Sequence, residues 1–459
     1  MELSALLLSR IQFAFTIAYH IMFPALSMGL AMFLVFIDAM ALRTGEARYR
    51  QASLFWARVF ALSFGMGVVS GVVLSYEIGT NWGRYAEFAG PVVGPLMSYE
   101  TMSAFFLEAG FLGIVLFGRT RVGPRMHYFA TCMVAVGTLF SAFWILSANS
   151  FMHTPTGYRL EGGALSVASW PQAIFNPSFP YRLAHMVTAA YLSTSMLVAA
   201  VGAWYLLRQR DLAFGRLTLL WGLRAAALLA PLQVLLGDLH GLNTLHHQPM
   251  KIAAIEAHWE TSADVPLILF ALPDQAAEMN RYEVAVPQLG SLILTHELHG
   301  VVHGLKEVPP QDRPPVALVF WSFRLMVGCG LAMLGLSWLG VWLSARDGRI
   351  ERQPWFLKLL CLSGPLGFVA IIAGWVTTES GRQPWVVQGL MRTHDAVSPV
   401  ASSSVAISLC AFIIGYAVLF YAFAIFFRRL VRTGPAGDER PPPRDRNARP
   451  AFIGTGKGE

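Results

Sequence analysis

Runs of about twenty apolar residues recur along this chain, and no soluble core can absorb them. A run of that length, coiled as a helix, matches the ~30 Å hydrocarbon thickness of a bilayer. Within lipid only a helix or a closed barrel satisfies its own backbone polar groups. The runs fall at roughly 12–41, 54–79, 96–118, 127–149, 181–207, 216–239, 316–344, 356–378 and 402–427. Of 459 residues, 55% are hydrophobic and 13% charged, about half the charged share of a soluble protein. The expectation is an all-α polytopic membrane protein of about nine transmembrane helices arranged in bundles.

Basic residues set the expected orientation, because Lys and Arg gather on the cytoplasmic side. Arg43, Arg48 and Arg50 follow the first run, Arg119, Arg121 and Arg125 the third, and Arg208, Arg210 and Arg216 the fifth. Arg346, Arg349, Arg352 and Lys358 follow the seventh, and Arg428, Arg429 and Arg432 the ninth. The N-terminus is expected outside and the C-terminus in the cytoplasm. These stretches account for the net charge of +7, so nucleic acid is not an expected partner. No cleavable leader is expected, since the first apolar run is itself a full span. Four segments follow: a six-helix part over 1–239, an outer loop over 240–315, a three-helix part over 316–427 and a basic, disordered tail over 428–459. The loop is acidic and too long to be a mere connector. Cys132, Cys329, Cys361 and Cys410 are scattered through the runs as small buried residues, with no disulfide or metal spacing.

Ionisable side chains inside a bilayer are costly and mark function. His20, Glu100, Glu108, His185, Arg324, Met326 and Glu379 all fall in the outer half of their runs or near mid-membrane. Glu100 and Glu108 are eight apart, so they lie ~12 Å apart along the axis and within ~80° of one face. The stretch Gly374-Trp375-Val376-Thr377-Thr378-Glu379-Ser380-Gly381-Arg382-Gln383-Pro384-Trp385 ends a run with a carboxylate, an arginine and two tryptophans. Each residue alone has a plain alternative. Membrane histidines bridge helices, Glu100 and Glu379 could pair with Arg324 and Arg382, and Trp385 could anchor the interface. Together at one depth they suit haem. Imidazole plus thioether is a low-spin, electron-transferring ligand pair, and a single ligand leaves iron open to oxygen. Arg324 and Arg382 could grip propionates through their guanidinium forks, and Trp375 could pack on a macrocycle.

An ordered series of segments is similar to a known family. It comprises Ser9-Arg10-Ile11-Gln12-Phe13-Ala14-Phe15 leading to Tyr19-His20, Glu100 with Phe105-Phe106-Leu107-Glu108, and Ser141-Ala142-Phe143-Trp144-Ile145-Leu146. Arg182-Leu183-Ala184-His185-Met186, Gln248-Pro249-Met250-Lys251-Ile252-Ala253-Ala254-Ile255-Glu256 and Trp321-Ser322-Phe323-Arg324-Leu325-Met326 follow, then the Gly374–Trp385 stretch on to Arg392-Thr393. From Ser9 to about Pro399 the chain resembles subunit I of cytochrome bd-type quinol oxidases, cyanide-insensitive relatives included.

The resemblance implies a terminal respiratory oxidase subunit that oxidises ubiquinol or menaquinol near the outer face and reduces oxygen to water through three haems. Charge would be separated without pumping. It implies His185 and Met326 as ligands of a low-spin haem b. His20 and Glu379 would hold a high-spin haem b and a haem d, or a second high-spin haem b. Glu100 would stand at the oxygen-reducing haem with Glu108 supplying protons, and Lys251 and Glu256 would bind quinol. Arg324, Trp375 and Arg382 would support the haems. A second large subunit (subunit II) and a small single-span subunit are implied partners. The 240–315 loop resembles the family's shorter form. His296, Glu297, His299 and His303 look like a metal motif but lack its spacing; His299 and His303 could share a helical face. Two rivals stand beside this reading: an ion-coupled transporter, and a b-type quinol dehydrogenase that leaves oxygen alone.

Overall fold

The computed structural model describes residues 4–345 and 349–435. Nine helical segments among them are long and apolar enough to cross a membrane. The first, α1 (Ala5–Thr44), starts where the Ser4 hydroxyl accepts from Leu7 N–H, and stops at Gly45 in the left-handed region (φ 70°). A side chain there would be strained, which is why glycine ends so many helices. After α2 (Ala47–Asn81) comes α3 (Gly83–Tyr99), which passes through a π-helical turn at Glu100–Phe105 into α4 (Phe106–Phe117). Such widened turns inside helices often accompany functional sites; this one carries Glu100. Next are α5 (Pro124–His153), the hairpin β1 (Tyr158–Glu161) and β2 (Ala164–Val167), the short α6 (Trp170–Ile174), α7 (Phe179–Leu207) and α8 (Leu212–His247).

The 240–315 segment is folded, although α8 takes its first eight residues, to His247. An apolar count ends where the bilayer ends, but helical hydrogen bonding need not stop there. Beyond it lie α9 (Pro249–Ile255), the antiparallel pair β3 (Leu267–Asp274) and β4 (Met279–Val286), and α10 (Leu289–Thr295). Ile252, Trp259, Val265, Ile268 and Leu305 bury a small core onto Val316, Val319 and Phe320 of α11 (Val316–Ser344). The eighth span is broken into α12 (Pro354–Ser363) and α13 (Leu366–Ser380), because Pro365 has no N–H to continue the ladder. A short pair, β5 (Trp385–Val387) with β6 (Met391–Arg392), and α14 (Thr393–Ala396) lead to α15 (Ser402–Thr433). Residues 428–433, expected in the tail, are thus helical; the tail beyond 435 lies outside the described residues.

Packing sorts the helices. The α7 and α8 backbones meet through glycine: a Cβ on Gly202 would sit 2.4 Å from Leu219 N, and one on Gly222 2.6 Å from Ala199 N. Small residues allow this approach where lipid supplies no hydrophobic drive. The apolar windows of α1 and α7 are 56% and 67% buried, whereas that of α15 is 11% buried, so α15 lies at the rim. Cys410 on α15 is exposed, contrary to the expectation of burial, because it sits on that peripheral helix. At the arginine-rich end, Asp38 is buried and satisfied by Arg119 Nη2 (3.3 Å), Thr131 Oγ1 (2.9 Å) and His127 Nδ1 (3.4 Å). This cluster ties α1 to α5 and to the loop after α4.

Candidate functional site

At the other end, which carries the 240–315 segment, four helices bring their polar residues together. Glu379 closes α13, and its Oε1 accepts from Asn149 Nδ2 (2.9 Å) and His153 Nε2 (3.2 Å) of α5. Its Oε2 pairs with Arg382 Nη2 at 2.5 Å. His153 is fully buried; its Nδ1 meets Lys251 Nζ at 3.0 Å, and Lys251 donates on to Gln248 Oε1 at 2.6 Å. A hydrogen-bonded chain therefore joins Lys251 of α9 to Glu379 through His153. Gly381 makes room for it, since a Cβ there would lie 2.7 Å from Lys251 Cγ. Burial, with the Arg182 cation nearby, holds the Lys251 ammonium well below the ordinary lysine range.

Glu256 stands apart from this chain. It pairs with Arg324 Nη2 at 3.0 Å, while Arg324 also donates to the carbonyls of Ile255 (2.7 Å) and Ile268 (3.0 Å) and lies over the Phe320 ring. Burial pushes the Glu256 carboxyl above its usual range and outweighs the pull of Arg324. Of the two carboxylate–arginine pairings weighed from sequence, Glu379 with Arg382 forms. Glu100 instead accepts from Ser141 Oγ (2.7 Å), because Arg324 is held at the folded loop segment. Glu108 is buried against Gly137, where a Cβ would meet its Cγ at 2.5 Å. Glu100 and Glu108 thus both lean on α5.

Three of the four expected iron ligands share a local feature: His20, His185 and Met326 each face a glycine on a neighbouring helix. A Cβ on Gly71 would come 3.2 Å from His20 Cε1, one on Gly237 3.5 Å from His185 Cε1, and one on Gly374 2.7 Å from Met326 Sδ. His20 Nδ1 meets Ser70 Oγ at 2.9 Å, which orients the ring and leaves Nε2 for a metal. His185 Nε2 meets Gln233 Nε2 at 3.0 Å, and the ring stands edge-on to His240 at 5.6 Å. His185 Nδ1, Arg182 Nε, Arg382 Nε and Gln233 Oε1 are buried with no partner among the described residues. Orphaned polar atoms of this kind call for a bound group or water. Trp375, one residue past Gly374, packs against Phe13 with centroids 6.3 Å apart. This donor set, with its glycine clearances and unsatisfied nitrogens, fits haem.

His153 and Asn149 escaped the sequence reading. Their only signal is the spacing i, i+4 at the end of α5, shared with any pair of surface residues. The loop histidines do not gather: His296 pairs with Asp238 (3.2 Å), His299 with Asp264 (2.6 Å) and His303 with Glu307 (2.8 Å). Residues 299–303 are not helical, so His299 and His303 share no helical face. No group of three or more His, Cys, Asp or Glu ligands occurs among the described residues.

Nine spans and a buried donor set suited to haem define a multi-pass oxidoreductase subunit. The family described as cytochrome bd terminal oxidase subunit I matches residues 8–435, and the chain belongs to that family. It is 34% identical over 451 residues to the cytochrome bd ubiquinol oxidase subunit 1 of Bacillus subtilis strain 168, covering 95% of each chain. It is 32% identical to the cytochrome bd-II ubiquinol oxidase subunit 1 of Escherichia coli K12, covering 94% of this chain and 96% of the relative. The solved bd oxidase of Geobacillus thermodenitrificans superposes with a TM-score of 0.87 at 31% identity, over 94% of this chain and 98% of that one. The chain is accordingly a haem-binding subunit of a terminal oxidase in the bacterial inner membrane.

Proposed function

We propose that this subunit oxidises ubiquinol or menaquinol at the 240–315 end of the bundle and uses the electrons to reduce oxygen to water. The observation that carries this reading is the buried chain Lys251–His153–Glu379–Arg382. It joins Lys251, expected at quinol, to Glu379, expected at iron. Low-spin haem b would be held by His185 and Met326, and the two high-spin haems, one of them haem d or a second b, by His20 and Glu379. When bound, haem supplies one-electron transfer and an iron site open to oxygen.

The protein's own part is binding and proton handling. Lys251, whose charged form burial disfavours, can take one proton from a quinol hydroxyl. Glu256, ionised with the Arg324 cation beside it to stabilise that charge, takes the other proton and becomes the neutral acid. Both protons leave at the face proposed to be outside. Oxygen reduction consumes protons, which Glu108 relays to Glu100 along α5 from the arginine-rich face. Uptake on one side and release on the other separate charge without a pump. Subunit II, and a small single-span subunit, would cover the membrane-facing helices.

Reduced-minus-oxidised spectra of the purified complex, with and without carbon monoxide, test the reading. Low-spin and carbon-monoxide-binding high-spin haem together, with quinol-driven oxygen uptake, support it. Low-spin haem alone would make it a quinol dehydrogenase, and no haem at all would leave a transporter.

A further inference from the structure

Ser9, Gln12, Thr16 and Tyr19 stand at i, i+3, i+7 and i+10 on α1, the spacing of one helical face, and all four are buried. The stripe runs ~15 Å along the axis at 1.5 Å per residue and faces α2 and α15. Gln12 accepts from Ser408 Oγ at 3.0 Å. Tyr19 stacks flat on Tyr416, with centroids 4.2 Å apart and planes at 1°. Between these two contacts Thr16 faces Glu77 of α2, and Tyr416 flanks the same carboxyl.

Glu77 is 0% exposed, and among the described residues the Thr16 hydroxyl is the one donor beside its oxygens, with no cation to pair with them. The hydroxyls of Ser9, Tyr19 and Tyr416 and the Asn81 Nδ2 are buried with no partner among the described residues. A carboxylate buried only to pack helices would be paired, as Asp38 is with Arg119 in the same bundle. A row of unsatisfied polar atoms is instead what ordered water needs, since a buried water takes two to four polar partners. Ser70, which holds His20 Nδ1, lies seven residues before Glu77. Two helical turns put both on one face of α2, ~10 Å apart along the axis. The seam thus begins near His20 and runs towards the Lys251 end.

We propose that α1, α2 and α15 enclose a water-filled seam whose protonatable member is Glu77, coupled to the redox state of the haem held at His20. This rests on His20 holding a haem, as proposed above. One electron from quinol arriving there adds one negative charge. Glu77 carboxylate then takes one proton, delivered through the seam water from the Lys251 end, and becomes the neutral acid. Reoxidation returns the proton. The groups shown beside Glu77 are Thr16 from α1 and Tyr416 from α15, neither of them a cation.

Redox-induced infrared difference spectra of the whole oxidase complex test this. Wild type should show a carboxylic-acid C=O band that shifts in heavy water, vanishes in Glu77→Gln and moves without vanishing in Thr16→Val. Glu77→Gln should also flatten the pH dependence of the midpoint potential of the His20 haem. Unchanged carboxyl bands in a Glu77→Gln complex with all its haems would overturn the proposal. Should that variant fail to assemble, unmoved bands in Thr16→Val overturn it. A His20→Ala complex with the wild-type haem spectrum would instead refute the haem assignment beneath it.

Discussion

Replacing Gly374 by alanine places a methyl carbon 2.7 Å from Met326 Sδ, against an ordinary contact of about 3.5–4.0 Å. The overlap must be relieved by ~1 Å of movement. The yielding group is the flexible end of a methionine rather than helix backbone, so the cost to stability should stay near the low end of overpacking, ~1 kcal/mol. The cost to ligation is far larger, because a site that is ~1 Å too loose is commonly inactive. Gly374→Ala should therefore assemble with wild-type haem content yet lose the low-spin signature. In optical and electron paramagnetic resonance spectra the corresponding signal should turn high-spin, and quinol-driven oxygen uptake should stop. Met326→Leu should reproduce that outcome without the overlap. A Gly374→Ala complex with an unaltered low-spin spectrum and full turnover would show that the thioether at this position does not bind iron.

Other perturbations reach different parts of the site. Glu256 must be ionised to accept a proton, and burial raises its pKa. Quinol oxidation should therefore climb with pH through a value above the ordinary carboxylate range, a limb that Glu256→Gln abolishes while oxygen uptake from an artificial reductant persists. Glu108→Gln should slow turnover about 10²-fold, the low end for removing a positioned proton carrier, with normal haem spectra; stopped-flow reoxidation by oxygen measures it. Arg119→Ala strands the buried Asp38, and should destabilise the subunit by about 3 kcal/mol, at the low end for a broken buried pair, read as a lowered thermal midpoint.

Much of this was legible in the chain because a bilayer leaves few choices. The nine spans follow from run length, and the outlying polar residues His20, Glu100, His185 and Glu379 are conspicuous because lipid excludes their kind. Contact partners were not legible. Nothing in the spacing of Lys251, His153 and Glu379 signals that three distant segments share one hydrogen-bonded chain. Nor does it signal that Arg324 answers Glu256 rather than Glu100. The break at Pro365 lay within an apolar run that counting reads as continuous, and the turns of α8 beyond residue 239 were hidden because hydropathy reports the solvent and not the helix.

The class of architecture and the candidate ligands can be read from the order of residues alone. Both depend on local properties: the free energy of placing each residue in lipid, and the donor chemistry of its side chain. Folding in three dimensions set which glycine clears space for His20, His185 and Met326, and left Glu77 without a cation while Asp38 is paired with Arg119. Those outcomes depend on how helices far apart in the chain pack within a few ångströms of one another, and a one-dimensional pattern carries no distances.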